Sequence, residues 1–330
     1  MPVTIEIGKV RVSQAPAKKV PSPADIAAAA KRLRGVAVST PLLAAPALSA
    51  ELGRPVLVKA ETLQRTGSFK FRGAYNRIAA MTAAERAPGV VAFSSGNHAQ
   101  GVAAAAQMFG CRATIVMPSD APIAKIAGTR SYGAEVILYD RERESREAIA
   151  EGLARERGAV LIPSFDDPNV IAGQGTVGLE IASVLSAGGL TLDAVVTPLG
   201  GGGLASGIAL ALEAAAPGAR LYGVEPENFD DAARSFAAGR VLANAQKSGS
   251  SQDALLTPEL SQLTFGILAP RIAGMYAVSD MAAEAAVRYA ARHLKLTVEP
   301  GGAAGLAAVL AGGVPEGAGA LVIVLSGANA

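Results

Sequence analysis

Short apolar runs alternate with amphipathic or alanine-rich stretches along nearly the whole chain. The runs at residues 55–60, 89–93, 113–117, 136–139, 159–162, 194–197, 220–224 and 321–325 are rich in Val, Ile, Leu and Ala. They lack strict apolar–polar alternation, the pattern of strands covered on both faces as in parallel sheets. Between them lie longer segments of helical character, at residues 22–35, 74–81, 98–108, 121–131, 144–157, 170–185, 204–215, 281–294 and 303–310. The first carries a full set of end signals, with Ser22 as cap, Pro23 in the first turn and Gly35 at the close. Strand and helix in alternation predict an α/β fold of mostly parallel twisted sheets with helices on both faces. Residues 1–21, with Pro2, Pro16 and Pro21, predict an N-terminal arm lying on the surface or on a partner subunit.

Composition narrows the classes. With 330 residues, half of them hydrophobic and 18% charged, the chain is globular and long enough for one large domain or two ordinary ones. A net charge of +2 gives no electrostatic reason for a nucleic-acid partner. A single cysteine, Cys111, excludes an intrachain disulfide and a thiolate metal cluster, and only His98 and His293 are present for a histidine zinc site. The N-terminus carries Glu6, Lys9, Arg11, Lys18 and Lys19 without an apolar core, unlike a signal peptide. The uncharged run at residues 194–212 holds Pro198 and several glycines, so no helix passes through it intact to span a membrane. A soluble, cytoplasmic protein without membrane or nucleic-acid partners is expected.

Three loops that follow apolar runs carry chemistry. Thr66-Gly67-Ser68-Phe69-Lys70-Phe71-Arg72-Gly73 opens a helix with a lysine in its first turn. The positive end of the helix dipole, together with desolvation, lowers a lysine pKa and leaves more free amine for nucleophilic or Schiff-base chemistry. The plain alternative is a snorkelling surface lysine. Gly200-Gly201-Gly202-Gly203 lies between a strand and a helix, where backbone N–H groups approach an anion closely, and reads as a phosphate cradle. No Gly-Lys-Ser/Thr follows, so it is not a P-loop. Ser94-Ser95-Gly96-Asn97-His98 offers hydroxyls, an amide and helix N–H groups to a carboxylate or phenolate, unless Ser95 or Asn97 merely caps the helix. The last run ends at Ser326-Gly327-Ala328-Asn329. Ligands of open α/β sheets bind beyond the carboxyl ends of strands, where all these loops lie. A lysine nucleophile, a phosphate cradle and a strand-end hydroxyl together point to a phosphorylated aldehyde cofactor.

On these loops, and on Ile171-Ala172-Gly173-Gln174-Gly175-Thr176 and Glu299-Pro300-Gly301-Gly302-Ala303, the chain resembles a known family from about residue 40 to 329. It is similar to the fold type II, tryptophan-synthase-β-like pyridoxal-phosphate enzymes of the serine/threonine dehydratase and serine racemase group. The resemblance implies a two-lobed homodimer, with residues 22–84 and 163–330 as the large cofactor-binding domain and 85–162 as a small mobile domain. It implies that Lys70 carries pyridoxal 5'-phosphate as a Schiff base and that Phe69 packs against the ring. By the same resemblance Asn97 bonds the phenolic oxygen, Gly200, Gly201, Gly202 and Gly203 hold the phosphate, and Ser326 faces the pyridine nitrogen. Ser94, Ser95, Gly96, His98 and Arg146 would contact the substrate. A neutral hydroxyl opposite the ring nitrogen makes the ring a weaker electron sink and favours prompt β-elimination. The implied reaction is conversion of a small β-hydroxy amino acid, by default L-threonine or L-serine, to a 2-oxo acid and ammonia. Lys70 would abstract the α-proton.

Other features separate members of the group. Ser95 stands where threonine dehydratases usually carry alanine and where serine racemases and hydroxyaspartate dehydratases carry serine, so 3-hydroxyaspartate dehydration and serine racemisation are the alternatives. Arg146 resembles the arginine that serine racemases place near the substrate carboxylate, or is a solvated charge on a helix rich in Arg and Glu. Glu225-Pro226-Glu227-Asn228-Phe229-Asp230-Asp231 resembles the divalent-cation loop of serine racemases. Glu225, Asp231 and the Phe229 carbonyl would suit Mg²⁺, Mn²⁺ or Ca²⁺, unless Asp230 simply starts a capped helix. Ala328 and Gln252-Asp253-Ala254 depart from the family's Ser-Gly-Gly-Asn and Ala-Asp-Gly and would reshape the pocket. From the residues alone, Gly201, Gly203, Gly207 and Glu225 also match a loose dinucleotide fingerprint, which would make the chain an NAD(P)-binding oxidoreductase. A non-catalytic cofactor carrier is the third class.

Overall fold

A computed structural model describes residues 3–6 and 18–329, with the backbone alone for 3–6. The strands are β1 (Val3–Glu6), β2 (Leu42–Ala44), β3 (Val56–Ala60), β4 (Val90–Phe93), β5 (Ala113–Pro118), β6 (Glu135–Tyr139), β7 (Val160–Leu161), β8 (Leu192–Pro198), β9 (Arg220–Pro226), β10 (Ile272–Val278) and β11 (Ala320–Leu325). The helices begin with α1 (Pro23–Leu33), α2 (Pro46–Leu52), α3 (Lys70–Ala79), α4 (Ala83–Arg86), α5 (Asn97–Met108), α6 (Ile123–Ser131) and α7 (Arg146–Arg157). They continue with α8 (Pro168–Ala187), α9 (Gly203–Ala215), α10 (Asp231–Ala238), α11 (Gln262–Leu268), α12 (Asp280–Tyr289) and α13 (Pro300–Leu310).

One sheet has the order β1-β10-β9-β8-β11-β3-β2 and the other β6-β5-β4-β7. All neighbours run parallel except the two edges of the larger sheet, where β1 pairs antiparallel with β10 and β2 with β3. Residues 3–6 of the expected surface arm are therefore an edge strand, which caps one side of the larger sheet; residues 7–17 lie outside the described residues.

The local rules read from the sequence operate as stated at α1. Ser22 Oγ accepts from the Asp25 N–H at 3.3 Å while the Asp25 carboxylate accepts from the Ser22 N–H at 2.8 Å, a reciprocal capping box. Along β11, Val322 and Val324 enter the cluster with Ile181, Ile208 and Phe265 from α8, α9 and α11. Leu321 and Ile323 enter the opposite cluster with Ala286, Ala304 and Ala307 from α12 and α13. Every residue of this strand is buried, which is why its sequence shows no alternation. Each such aliphatic side chain contributes about 1.5–3 kcal/mol on burial. Helix α8 is long and apolar enough by composition to cross a membrane, but most of it is buried in the core, where it packs against α1, α3 and α9. A Cβ on Gly207 of α9 would lie 2.4 Å from the Gly175 N of α8, so Gly207 serves this helix crossing and not a nucleotide.

Topology then fixes the site. Strands β3, β11 and β8 are neighbours in mid-sheet, and their carboxyl ends lead to Lys70, Ser326 and the four glycines. In the smaller sheet the carboxyl ends of β4 and β7 lead to residues 94–97 and 162–164. Both sheets thus aim their loop-bearing ends at one cavity.

Candidate active site

The cavity measures about 940 Å³, and Phe69, Lys70, Ser94, Ser95, Gly96, Asn97, His98, Arg146, Gly200, Gly201, Gly202, Gly203 and Ser326 all line it. Every site residue expected near the cofactor or substrate comes together there, including pairs far apart in sequence.

Lys70 is the first residue of α3. The backbone leading into it is tied to the end of β11, with the Phe69 N–H donating to the Ser326 carbonyl at 3.1 Å and the Ala328 N–H to the Gly67 carbonyl at 2.8 Å. Thr66 and Gly67 both take positive φ, 60° and 71°, and a Cβ on Gly67 would lie 2.6 Å from Asn329 Oδ1. That turn is why a glycine precedes the Ser-Phe-Lys segment. Lys70 Nζ donates to the Ser164 carbonyl at 3.1 Å and lies 5.2 Å from the centre of the Phe69 ring. Desolvation pushes its amine down to about 8. Burial, one of the two causes read from the sequence, accounts for this lowering, and Lys70 also stands at the first position of α3 as expected.

The two anion loops are built alike. Gly202 has φ +82° and caps α9, and the N–H groups from Gly200 to Ala205 make no hydrogen bond among the described residues. Six free donors at the positive end of a helix form an anion cradle that fits a phosphate. At α5 the N-cap is Gly96 and no side chain caps the helix, so neither Ser95 nor Asn97 has the capping role weighed from the sequence. The N–H groups of Asn97, His98 and Ala99 and the hydroxyl of Ser95 find no partner among the described residues. This second cluster of donors suits a carboxylate.

Asn97 is held on both sides, its Nδ2 donating to Glu299 Oε1 at 2.5 Å and its Oδ1 accepting from Asn329 Nδ2 at 2.7 Å. His98 is buried with Nε2 2.8 Å from the Ile162 carbonyl; desolvation and the nearby Lys70 push its pKa down to about 3, so it is a neutral ring in the wall. Ser326 keeps its hydroxyl free of protein partners among the described residues. Arg146, at the start of α7, lies 5.3 Å from the centre of the Phe93 ring, and its Nε donates to Glu147 Oε1 at 2.8 Å. Its two terminal nitrogens make no hydrogen bond among the described residues. Opposite Gly96, Lys125 of α6 pairs with Asp253 at 2.8 Å, and Ala254 lines the cavity beside it.

Sequence reasoning missed the buried charges beneath Lys70. Arg72 donates to Glu61 at 2.8 Å and to Glu180 at 2.7 Å, and Lys59 reaches Glu180 at 2.5 Å. Burial opposes ionisation of Glu61, but Arg72 and Lys59 outweigh it and hold the carboxyl below its ordinary range. The network fastens α3 to β3 and α8, and its members come from three segments with no shared motif.

The acidic loop stands apart from the cavity. Glu225 accepts from the Ala232 and Ala233 N–H groups at 2.9 and 3.0 Å, so Glu225, not Asp230, satisfies the start of α10. Glu225 does not line the cavity that Gly201 and Gly203 line, which removes the acidic anchor of the dinucleotide alternative. Asp231 Oδ1 accepts from Asn244 at 2.6 Å, Oδ2 is buried without a partner, and the Phe229 carbonyl accepts no hydrogen bond among the described residues. Desolvation pushes Asp231 up to about 7, and desolvation and the Asp231 charge push Glu225 well up. Two crowded carboxyls with an orphaned oxygen and a bare carbonyl fit a hard cation, though the carboxylates number two and no cluster of three exists among the described residues.

An amine in a desolvated pocket facing two clusters of free N–H donors defines a site for a phosphorylated aldehyde and a carboxylate. The family model described as pyridoxal-phosphate dependent enzyme matches residues 34–327, and the chain belongs to this family. The L-threo-3-hydroxyaspartate ammonia-lyase of a Pseudomonas species is 47% identical over 285 residues, 86% of this chain and 88% of that protein. The L-threonine ammonia-lyase of Thermotoga maritima is 41% identical over 305 residues, 92% of this chain and 75% of that protein. The structure of maize serine racemase superposes with a TM-score of 0.89 at 35% identity, covering 94% of each chain. The chain is a pyridoxal-phosphate-dependent lyase of this ammonia-lyase and racemase group, and the oxidoreductase alternative falls.

Proposed function

We propose that this enzyme is an ammonia-lyase for 3-hydroxyaspartate, releasing a 2-oxo acid and ammonia, with L-threonine and L-serine as poorer substrates. One observation carries the choice: the cavity holds a third place for an anion, the two terminal nitrogens of Arg146, which are unengaged while Nε pairs with Glu147, beyond the two needed for a phosphate and an α-carboxylate. Arg is the side chain suited to bidentate capture of a carboxylate. The similarity to the Pseudomonas hydroxyaspartate enzyme supports the same reading.

Pyridoxal phosphate, when bound, supplies the electron sink for charge released at the substrate α-carbon. Gly200 to Gly203 would hold its phosphate, Asn97, Phe69 and Ser326 its ring, and Lys70 its aldehyde carbon. The Lys70 amine takes the α-proton, since an amine pushed to about 8 is partly free base at neutral pH. The free N–H groups of residues 97–99 orient the α-carboxylate, and Arg146 orients the second one. Ser95, with an unengaged hydroxyl at the cavity, supports a second reading in which the enzyme also racemises serine.

Glu225, Asp231 and the Phe229 carbonyl would hold a structural divalent cation, most simply Mg²⁺. The chain would work as a cytoplasmic homodimer, with a small mobile domain at residues 85–162 against a large one at 22–84 and 163–330. The enclosure of the second sheet, β4 to β7, within 85–162 supports that division.

The test is 2-oxo acid release from L- and D-serine, L- and D-threonine and the 3-hydroxyaspartate isomers, by the wild type and by Arg146→Ala. A charged hydrogen-bonded pair contributes about 1.5–3 kcal/mol, so loss of the fork should raise KM for hydroxyaspartate about 10–100-fold and leave threonine nearly unchanged. Equal losses on both substrates would place Arg146 at the shared α-carboxylate and return the assignment to a general serine/threonine dehydratase.

A further inference from the structure

Glu299 is the N-cap residue of α13 and is 1% exposed, yet its side chain makes no cap hydrogen bond to that helix. Its backbone N–H donates to the Gly327 carbonyl at 3.0 Å. Its carboxylate instead turns to the loop at the start of α5: Oε1 accepts from Asn97 Nδ2 at 2.5 Å, while Oε2 is buried with no partner. A buried carboxylate with one oxygen unsatisfied is costly, and a simply structural position would be served by an apolar side chain. The Asn97 amide is thereby determined at both ends, because Asn329 Nδ2, itself anchored on the Thr66 carbonyl at 2.6 Å, donates to Asn97 Oδ1. Room for the contact comes from Gly327. A Cβ there would stand 2.4 Å from Glu299 Oε1, 3.1 Å from Asn97 Nδ2 and 3.1 Å from Ser68 Cβ.

We propose that Glu299 is a positioning residue for the cofactor: its buried carboxylate fixes the Asn97 amide so that Asn97 presents its second N–H, as a donor, to the cavity. The proposal rests on the cavity being the pyridoxal-phosphate site, which is read separately by whether wild-type apoprotein takes up the cofactor at all.

Ionisation of Glu299 modulates the contact, since the anion is the stronger acceptor. Desolvation pushes this carboxyl up to about 7, with Asn97 and Lys125 pulling it back and Asp253 adding to the rise. Lys125 from α6 and Asp253 from the loop before α11 are the charged groups that face it, and they are paired with each other at 2.8 Å. His98, the other titratable group on α5 near Asn97, stays neutral across this range. As pH rises through about 7 the anion forms and the hold on Asn97 tightens.

The experiment compares wild type, Glu299→Ala, Glu299→Gln, Gly327→Ala and the double variant Glu299→Ala/Gly327→Ala. It measures the Kd for pyridoxal phosphate and the visible absorbance of the bound cofactor between pH 5.5 and 9. Glu299→Ala should weaken the Kd about 10-fold, the loss of one charge-assisted hydrogen bond, and shift the absorbance. Glu299→Gln, which still offers an amide oxygen to Asn97, should stay within about threefold of wild type but lose the change centred near pH 7. Gly327→Ala should weaken binding at least as much as Glu299→Ala, since its Cβ crowds both Glu299 Oε1 and Asn97 Nδ2, and the double variant should lose less than the two single losses combined, since both act on the Glu299–Asn97 contact. Wild-type affinity and spectra in a folded Glu299→Ala would overturn the proposal. So would a pH 7 change that persists in Glu299→Gln, which decides the matter even where the alanine variant fails to fold.

Discussion

At the scale of the single residue, Lys70 shows how burial and position divide the work. A lysine at the first position of a helix feels the dipole, but that effect is worth about 0.3–1 kcal/mol and is screened at exposed sites. Desolvation moves pKa values by whole units, each worth about 1.4 kcal/mol, and it is the cause that brings this amine to about 8. Below that value the group is protonated and cannot attack an aldehyde; above it the free amine dominates. Uptake of pyridoxal phosphate by the apoprotein should therefore accelerate with rising pH to a midpoint near 8, and Lys70→Ala should abolish turnover. Stopped-flow absorbance would read the midpoint, and a midpoint near that of an ordinary lysine would refute the desolvated pocket. Lys70, the four-glycine loop and Asn97, which line one cavity, were legible because each sits in a local motif. Glu299 was legible only as a letter in such a motif, because its partner Asn97 lies 202 positions away. A glutamate directly ahead of Pro300 and an apolar helix was the one signal available.

At the scale of the element, apolar runs and end signals located the buried central strands, while the pieces that depend on neighbours stayed hidden. Strand β10 holds Gly274 in a run otherwise split between Ala and larger residues, and it is specified by pairing with β9 rather than by propensity. Strands β1 and β2 are three or four residues long and sit at sheet edges, where the pattern is shortest. The helical glycines divide the same way, and the division is testable. Gly207 meets the backbone of α8, with Gly175 N at 2.4 Å and Ile171 O at 2.6 Å from an added Cβ, whereas Gly152 of α7 meets nothing within 4 Å. Gly207→Ala forces two core helices apart and should cost about 1–3 kcal/mol, lowering Tm by roughly 2–4 °C. Gly152→Ala gains helix propensity without a clash and should raise stability by about 0.5–1 kcal/mol. Thermal denaturation of the two variants reads the contrast, and equal shifts of the same sign would show that the α8–α9 contact is not close-packed.

At the scale of the whole molecule, the acidic loop and the cavity are coupled through one stretch of chain. Asn244 Nδ2 donates to Asp231 Oδ1 at 2.6 Å and to the Thr257 carbonyl at 3.0 Å, and its N–H donates to the Pro258 carbonyl at 2.8 Å. Thr257 and Leu255 then pack on the glycine cradle, their nearest atoms 3.1 and 3.3 Å from a Cβ on Gly200. A cation on Glu225, Asp231 and the Phe229 carbonyl would neutralise two crowded carboxyls and stiffen this stretch, so it should act on global stability and on phosphate retention together. At 100 times its Kd a bound ion adds about 2.7 kcal/mol, which for a chain of this length is roughly 4 °C in Tm. Removal with EDTA should lower Tm by that amount and weaken the hold on pyridoxal phosphate, Mg²⁺ should restore both, and Asp231→Asn should respond to neither. A Tm that is the same in EDTA and in Mg²⁺, Mn²⁺ or Ca²⁺ would mean that the loop keeps its shape without an ion. A Tm that responds while cofactor affinity does not would instead confine the ion to the start of α10 and break the link through Asn244.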